Sequence, residues 1–272
     1  MQSFSIAPAT MLSKLWFHRR LIFNLTRREV VGRYRGSVLG LLWSFFNPIF
    51  MLAVYTFVFS VVLNAKWGTG GGSKAEFALI LFAGLLVFNL FAECVSRAPG
   101  LILSNPSYVK KVVFPLEILP WVILGSALFH LAVSVSVWLL FSLWVYGLPP
   151  LTALLFPLML LPLILLVMGL SWFLAALGVY LRDVAQIVGI VVTALMFLTP
   201  IFYPVSIVPE DFRRLIYLNP LTFIVDQVRS LLIFGGGLDL SGYALLCAGS
   251  LLVCWLGFAW FQLTRKGFAD VV

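Results

Sequence analysis

A basic segment, RREVVGRYRG at residues 27–36, runs without interruption into a long apolar segment, SVLGLLWSFFNPIFMLAVYTFVFSVVL at residues 37–63. Basic residues next to an apolar span are retained at the cytoplasmic surface of a membrane. The whole chain has the same character, since 62% of its residues are hydrophobic, 10% are charged and the mean hydropathy is +1.09. Soluble domains carry far more charge than this. The sequence therefore predicts an all-α integral membrane protein.

Six segments are apolar enough to cross a bilayer as helices, which takes about 20 residues. They are residues 37–63, 77–97, 117–146, 151–180, 184–203 and 242–263. We expect a six-span transmembrane domain over residues 37–263, preceded by a cytoplasmic tail and interfacial helix at residues 1–36. A second cytoplasmic tail follows at residues 264–272. Six helices and their connections fill almost the whole chain, which leaves no room for a soluble catalytic domain.

The positions of lysine and arginine predict that both termini lie in the cytoplasm. With the N-terminus inside, thirteen of the 18 basic residues fall on the cytoplasmic side, which is the side that retains them. The five outside are Lys66, Lys74, Arg213, Arg214 and Arg229. The net charge of +8 then reflects topology and contact with anionic lipid. No basic groove with interleaved aromatic residues suggests nucleic acid as a partner.

Residues 11–35 have the pattern of an amphipathic helix, because most of their apolar positions fall in one sector of about 120° on a helical wheel. We expect a helix lying in the cytoplasmic interface. It is either a passive anchor that fixes topology or a mobile element beside the inner entrance of a pathway. Gly32, Gly36 and Gly40 recur every four residues, a spacing that favours close helix packing, either inside one subunit or between two.

The loop at residues 98–116, between the second and third spans, predicts a short cytoplasmic helix of about two to three turns. Pro99 breaks the incoming span, Asn105 and Pro106 form a helix start signal, and Pro115 ends the helix. A short exposed helix has little to bury within its own chain. Its geometry suits docking into a partner, although a solvated connector has the same pattern.

Residues 204–241, between the fifth and sixth spans, predict an external re-entrant hairpin. Two apolar stretches, around residues 212–218 and 222–234, are too short or too charged to cross separately. Such segments reach membrane depth only where they are buried in protein or line a water-filled cavity. Asp226 and Arg229 are three residues apart and can pair on one helical face. The hairpin is an outer gate or, alternatively, a surface cap.

Few ionisable residues fall inside the spans, namely Glu93 in the second and His130 in the third. A proton-driven carrier places several such groups at mid-depth, so this pair does not favour that mechanism. The glycine-rich stretches at residues 70–72 and 235–237 lack the Lys and Ser or Thr of a phosphate loop. We therefore expect no cofactor in this chain. Its three cysteines all lie in spans and predict neither a disulfide nor a metal site.

The order of these blocks resembles the permease subunit of type-2 ABC exporters for polysaccharides and polyols. The resemblance is carried by RYRGSVLGLLWSFFNPI (33–49), NPSYVKKVVFPLEILP (105–120), YLRDV (180–184) and LTPIFYPVSIVPEDFRRLIYLNPLTFIVDQVRSLL (198–232). It covers roughly residues 12–268. The most similar branch contains the O-antigen and capsule exporters of Gram-negative bacteria, and teichoic-acid export is a sister activity.

The resemblance implies a homodimeric channel in the bacterial inner membrane, above two copies of a separate cytoplasmic ATPase subunit. ATP and Mg would be held by that partner, and this chain would be a transporter subunit without catalytic residues. The implied substrate is a polysaccharide linked to undecaprenyl pyrophosphate. O-antigen of lipopolysaccharide is the first candidate, and capsule or teichoic acid are alternatives.

The resemblance also implies roles for particular residues. The contacts that couple to the ATPase would be Asn105, Pro106, Tyr108, Lys110, Lys111, Phe114, Arg182 and Asp183. The arginines that would draw pyrophosphate to the entrance are Arg27, Arg28, Arg33 and Arg35. Aromatic faces allow sugars to slide, and the pore candidates are Tyr55, Phe59, Phe88 and Phe91. The external gate would include Phe212, Tyr217, Asp226 and Arg229.

Two further functions stay open. A small-molecule or drug exporter of the same superfamily would share the coupling loop and differ in the width and lining of its pore. An intramembrane transferase needs a poised acid-base set, and the two histidines and ten carboxylates are scattered along the chain without forming one.

Overall fold

The structure is a computed structural model that describes residues 6–62, 67, 73–110 and 114–271. All regular elements in these ranges are helical. The α-helices are α1 (Pro8–Phe17), α2 (Arg19–Tyr34), α3 (Trp43–Tyr55), α4 (Lys74–Arg97), α5 (Pro106–Val109), α6 (Leu119–Val145), α7 (Phe156–Tyr180), α8 (Val184–Leu198), α9 (Glu210–Tyr217), α10 (Pro220–Arg229), α11 (Leu240–Thr264) and α12 (Phe268–Val271). Segments of π-helix continue α3 over Thr56–Val62 and α10 over Ser230–Phe234.

Within the residues that the structure describes, four helical segments are long and apolar enough to cross a membrane. They are Lys74–Arg97, Leu116–Val145, Leu151–Tyr180 and Leu240–Val271. Two shorter apolar helices, Trp43–Phe59 and Val184–Leu198, lie where the sequence predicts the first and fifth spans. The all-α membrane architecture is thus confirmed, and the count of six spans stays a prediction.

The core is built around α4, which is the most enclosed of these four segments. Helices α6, α7, α8 and α10 all pack against it. Two buried tryptophans bring polar indole groups into this interior. Trp138 donates to the carbonyl of Leu79 at 3.1 Å, and Trp172 donates to the carbonyl of Glu117 at 3.0 Å. Both indole N–H groups are therefore satisfied in the apolar core.

Helices α7 and α11 touch backbone to backbone at two glycines. A Cβ added to Gly257 would lie 2.0 Å from the carbonyl oxygen of Gly169, and one added to Gly169 would lie 2.4 Å from the carbonyl oxygen of Val253. Small residues at a helix crossing let two backbones approach closely, which is how membrane helices associate without a hydrophobic driving force. These two glycines therefore set the distance between α7 and α11.

The glycines at the end of the N-terminal region behave differently. Among the described residues, and leaving aside the adjoining backbone, no atom lies within 4 Å of a Cβ built on Gly32, Gly36 or Gly40, so the prediction that they pack helices together inside one subunit is wrong. Gly36 and Gly40 have φ angles of 87° and 49°, which L side chains rarely adopt. They turn the chain between α2 and α3, and a contact between two subunits stays a prediction.

The N-terminal region consists of two helices rather than the single helix expected over residues 11–35. The backbone of His18, at φ −95° and ψ 11°, separates α1 from α2. Helix α2 packs along α6 and buries Val30, while Trp16 and Phe23 stay exposed. One face of α2 thus rests on the helical core, and its position at a membrane interface stays a prediction.

The segment predicted to be external, residues 204–241, also divides into two helices. Asn219 caps α10 by accepting from the backbone N–H of Leu221 at 3.0 Å, and Pro220 occupies the first helical position. Helix α10 is buried against α4 and α7, whereas α9 has no buried residue. The two halves of the predicted hairpin therefore have different surroundings, and its membrane depth stays a prediction.

Candidate functional site

Polar side chains from three helices meet where α2 crosses α4 and α6. The Glu93 carboxylate of α4 binds Arg33 of α2 at 2.8 Å and Nδ1 of His130 in α6 at 2.9 Å. The hydroxyl of Tyr34 lies 3.2 Å from Nε2 of the same histidine. Glu93 and His130 are the two ionisable residues that the sequence analysis singles out in the second and third spans, and the structure brings them into direct contact.

A second pair of charges completes this cluster. Arg97 of α4 lies 3.5 Å from Glu93 and forms a short ion pair with Glu29 of α2. Two arginines and two glutamates are thus interleaved between α2 and α4, and their formal charges cancel. Burial raises the pKa of the Tyr34 hydroxyl, which therefore stays protonated. The cluster fastens the N-terminal region to the core through both charge and hydrogen bonds.

An open cavity of about 380 Å³ lies beside the cluster, between α2, α3, α4 and α6. Glu93, His130 and Arg33 border it at one end. The ring of Tyr55, one of the predicted pore aromatics, also lines it. A polar cavity bounded by apolar helices is a binding-site candidate by its position alone.

A buried carboxylate, Glu117, joins three distant parts of the chain just before α6. Its two oxygens accept short hydrogen bonds from Lys14 of α1 and Arg265 at the end of α11. Arg265 also donates to the carbonyl of Phe114 at 3.0 Å. Both ends of the chain are therefore tied to the residues that follow the coupling loop.

Sequence reasoning missed the role of Glu117. A signal was present, since it is the one acidic residue in the NPSYVKKVVFPLEILP segment. A carboxylate that enters a nearly buried position needs a cationic partner. The sequence does not say which of the basic residues, more than a hundred positions away in either direction, provides it.

The predicted coupling helix is shorter than expected. Helix α5 has four residues, about one turn, rather than two to three. Asn105 precedes it, but its side chain donates back to the carbonyl of Leu101 at 2.9 Å instead of capping the new helix. Since that amide stabilises the preceding turn, the helix start at Pro106 has no side-chain cap.

Aromatic stacking closes the coupling loop on itself, and one arginine holds the loop against α2. Tyr108 stacks on Phe114 with ring centroids 4.2 Å apart, and its hydroxyl accepts from Arg28 of α2 at 2.5 Å. Lys110, on the same loop, is exposed, and Lys111 lies outside the described residues. Helix α2 and the coupling loop are thus in direct contact.

The remaining coupling candidates, Arg182 and Asp183, are both exposed in the turn between α7 and α8. Exposure of this turn leaves it available to a partner. A partner surface shared by this turn and α5 stays a prediction.

The four arginines assigned to the entrance are all exposed but are used differently. Arg28 bonds to Tyr108, and Arg33 pairs with Glu93. The side chains of Arg27 and Arg35 form no hydrogen bond or ion pair within the described ranges. These last two are therefore the side chains that an incoming anion reaches without first displacing a protein partner.

The pore aromatics also divide into two pairs. Tyr55 and Phe59 lie on the outer side of the core and pack on Phe202, with Phe59 stacked at a centroid distance of 4.7 Å. Phe88 and Phe91 are 2% and 4% exposed within the chain. A side chain that is enclosed by its own subunit does not face a passage in this conformation, so Tyr55 and Phe59 are the accessible candidates.

Arg229 is the central contact of the external segment and is only 2% exposed. Its guanidinium donates to the carbonyls of Ile80 at 3.1 Å, Pro200 at 2.5 Å and Ile201 at 2.6 Å. It also lies 4.3 Å from the centre of the Trp67 ring. One side chain therefore fastens α10 to α4 and to the turn after α8.

The other residues of the predicted external gate are placed differently. Phe212 and Tyr217 are exposed on α9. Asp226 is half-buried on α10 and attracts the Arg229 guanidinium electrostatically, but the described chain shows no direct salt bridge between them, so the close pair expected on one helical face does not form. The physical reason is that three carbonyl groups surround the guanidinium and satisfy its donors first.

Comparison with known proteins identifies similar chains along almost the whole length. The model of the ABC-2 type transporter family matches residues 20–233. The O-antigen export system permease protein RfbA of Myxococcus xanthus is 28% identical over 264 residues, covering 96% of this chain and 99% of that protein. The protein of the same name from Klebsiella pneumoniae is 26% identical, covering 93% and 95%.

A capsule-related protein is also similar. The polysialic acid transport protein KpsM of Escherichia coli is 23% identical over 249 residues, covering 88% of this chain and 91% of that protein.

Proposed function

Because the chain belongs to the ABC-2 type transporter family, we propose that it is the permease of an ATP-driven exporter for a polysaccharide linked to undecaprenyl pyrophosphate. The chain is a multi-pass membrane protein and a transporter subunit rather than an enzyme. The observation that carries the proposal is its similarity, nearly end to end, to proteins named as O-antigen export permeases. O-antigen is accordingly the substrate that we propose.

The proposed energy source is a pair of cytoplasmic ATPase subunits that hold ATP and Mg beneath a dimer of this chain. The exposed Lys110 beside α5 and the exposed turn at Arg182 and Asp183 support a docking surface at the inner face. Tyr108 extends that surface to α2 through its bond to Arg28. Movement of a docked ATPase would thus reach α2 through a direct contact.

The proposed path begins at the inner face, with six spans and both termini in the cytoplasm of the bacterial inner membrane. Arg27 and Arg35 would meet the pyrophosphate, because guanidinium groups form strong paired hydrogen bonds with phosphate oxygens. Tyr55 and Phe59 would offer aromatic faces to the glycan. On the outside, α9 and α10 would form the gate, with Arg229 holding α10 on the core.

Capsule export is a second candidate, and the similarity to the polysialic acid transport protein supports it. The two candidates share the partner, the energy source and the lipid-anchored mode of transport that we propose here. They differ in the glycan, which is what an experiment has to vary.

Affinity purification of the chain from its native membrane, followed by measurement of ATP hydrolysis, tests the proposal. We expect an ATPase subunit to copurify and Lys110→Glu to reduce its recovery, because the substitution reverses a charge on the docking surface. Arg214→Glu, on the exposed outer helix α9, is the matched control and should leave recovery unchanged. Absence of an ATPase from the wild-type preparation would overturn the proposal.

A further inference from the structure

Polar side chains from three apolar helices, α3, α4 and α6, line the cavity beside Glu93 and His130. Asn47 comes from α3, Asn89 from α4 and Ser134 from α6, and all three line it. We propose that this cavity is a binding site for one or two neutral sugar units of the transported glycan, an inference that rests on the proposed function.

The position of Asn89 is the first argument. Every other residue of α4 from Phe77 to Phe91 is buried, whereas Asn89 is exposed and borders the cavity. An amide at the one exposed position of this enclosed stretch is not part of the buried core. Polar groups at such places in membrane proteins usually mark a substrate path.

The side-chain amides of Asn47 and Asn89 are available to a ligand. The amides of Asn47 and Asn89 bond to no other residue in the part of the chain that the structure describes. Each amide offers two donors and one acceptor oxygen, and the Ser134 hydroxyl both donates and accepts. Sugar hydroxyls require this mixture of donors and acceptors at close spacing.

The charges next to the cavity favour a neutral ligand. Arg33 and Arg97 are offset by Glu93 and Glu29, as the ion pairs show. An anionic phosphate would have to displace the Glu93 carboxylate from Arg33, and a cation would have to compete with two arginines. A neutral polyhydroxyl ligand disturbs neither pair.

The size of the cavity and an aromatic residue at its wall also favour a sugar as the ligand. A volume of about 380 Å³ lies near the lower end of the range for small-ligand sites, about 300–1,000 Å³. The cavity therefore suits one or two sugar rings rather than a long stretch of glycan. Tyr55 also lines its wall, and aromatic side chains pack against the C–H surfaces of sugars.

The test compares cysteine labelling at two serines of α6. Ser134 lines the cavity, while Ser136, two residues on, is exposed on another face of the helix. Ser134→Cys and Ser136→Cys are each introduced into the full chain, purified with its ATPase partner and treated with a small methanethiosulfonate reagent. The parent chain, with its three native cysteines, gives the background rate.

Labelling is measured with no addition, with the native lipid-linked glycan, and with undecaprenyl pyrophosphate that carries no glycan. At a glycan concentration about ten times its Kd, we expect labelling of the cysteine at position 134 to slow about tenfold. Undecaprenyl pyrophosphate alone should not protect it, and labelling at position 136 should not change in either case. An Asn89→Cys variant is treated in parallel and should show the same protection.

Two outcomes overturn the inference. If the glycan protects neither position 134 nor position 89 while the wild-type complex exports it, the cavity is not a sugar site and the proposed function stands. If undecaprenyl pyrophosphate protects as well as the glycan does, the cavity holds the lipid head group instead. Failure of the wild-type complex to export any glycan would be a failure of the proposed function itself.

Discussion

Replacement of Arg229 by methionine should destabilise the protein severely. Methionine fills much of the same space but cannot donate to the three carbonyls that the guanidinium contacts. Ile80 lies inside α4, where its carbonyl also serves the helical backbone. The carbonyls of Pro200 and Ile201 lie in the turn after α8, in a buried position, and would lose a strong donor.

The size of the effect follows from these two carbonyls. An orphaned buried acceptor costs about 1–3 kcal/mol, so the pair costs about 2–6 kcal/mol, and about 4 kcal/mol is the central value. For a chain of this size, each 1 kcal/mol lowers Tm by about 2–4 °C. Arg229→Met should therefore lower Tm by about 8–16 °C.

The assay is thermal unfolding in detergent, followed by the loss of the monodisperse peak in size-exclusion chromatography. Arg214→Met is the matched control, because Arg214 is exposed on the neighbouring helix α9. The control should shift Tm by no more than about 1–2 °C, since surface substitutions stay within about 0.5 kcal/mol. Equal and small shifts for both variants would refute the proposed role of Arg229.

Three other substitutions test separate parts of the fold. Glu117→Gln leaves two cations without their buried partner, which should cost about 3–5 kcal/mol; an unchanged Tm would contradict this. Gly257→Ala should disrupt the contact between α7 and α11 and lower Tm, whereas Gly249→Ala, where nothing lies within 4 Å, should not. The Ser241 hydroxyl and neighbouring backbone N–H groups lower the pKa of the exposed Asp239. Ionised Asp239 therefore contributes folding stability that is fully present above its ordinary pKa and is lost as the pH falls through the lowered pKa of the folded state. The Tm of the Asp239→Asn variant should fall less on acidification than the Tm of the wild type does. Identical profiles of Tm against pH for the two proteins would argue against this role.

Much of the helical architecture could be predicted from the sequence because it depends on local composition. The second span, expected at residues 77–97, is Lys74–Arg97 in the structure, and the sixth, expected at residues 242–263, is Leu240–Thr264. A run of about 20 apolar residues has few alternatives to a membrane helix. The ends differ by a few residues because capping by Ser73 and Asp239 begins each helix earlier than the apolar run does.

The contacts of the candidate site could not be predicted, because they join residues far apart in the chain. Glu93 and His130 were visible as isolated ionisable residues, but nothing local indicates that they face each other. The carboxylate of Glu117 finds its partners near both ends of the chain. Such pairs depend on how helices cross, and helical periodicity describes only one helix at a time.

Two local sequence patterns predict packing partners that the structure does not show. The spacing of Asp226 and Arg229 predicts a pair on one helical face, yet the arginine reaches into the core and bonds to backbone carbonyls. The glycines at positions 32, 36 and 40 have the spacing of a packing motif, but two of them serve a turn with positive φ. In both cases the residue type was informative, and its partner was set by the tertiary structure.

The most direct test of the central claim is ATP-dependent export in proteoliposomes that contain this chain and its copurified ATPase. Lipid-linked O-antigen is added on the side that exposes the ATPase, and its appearance on the opposite side is measured with and without ATP. The account predicts transport that requires both ATP and the partner, with glycan changing the rate of ATP hydrolysis. Transport that proceeds without the ATPase and follows a proton gradient would contradict it, and Glu93 and His130 would then be the residues to examine.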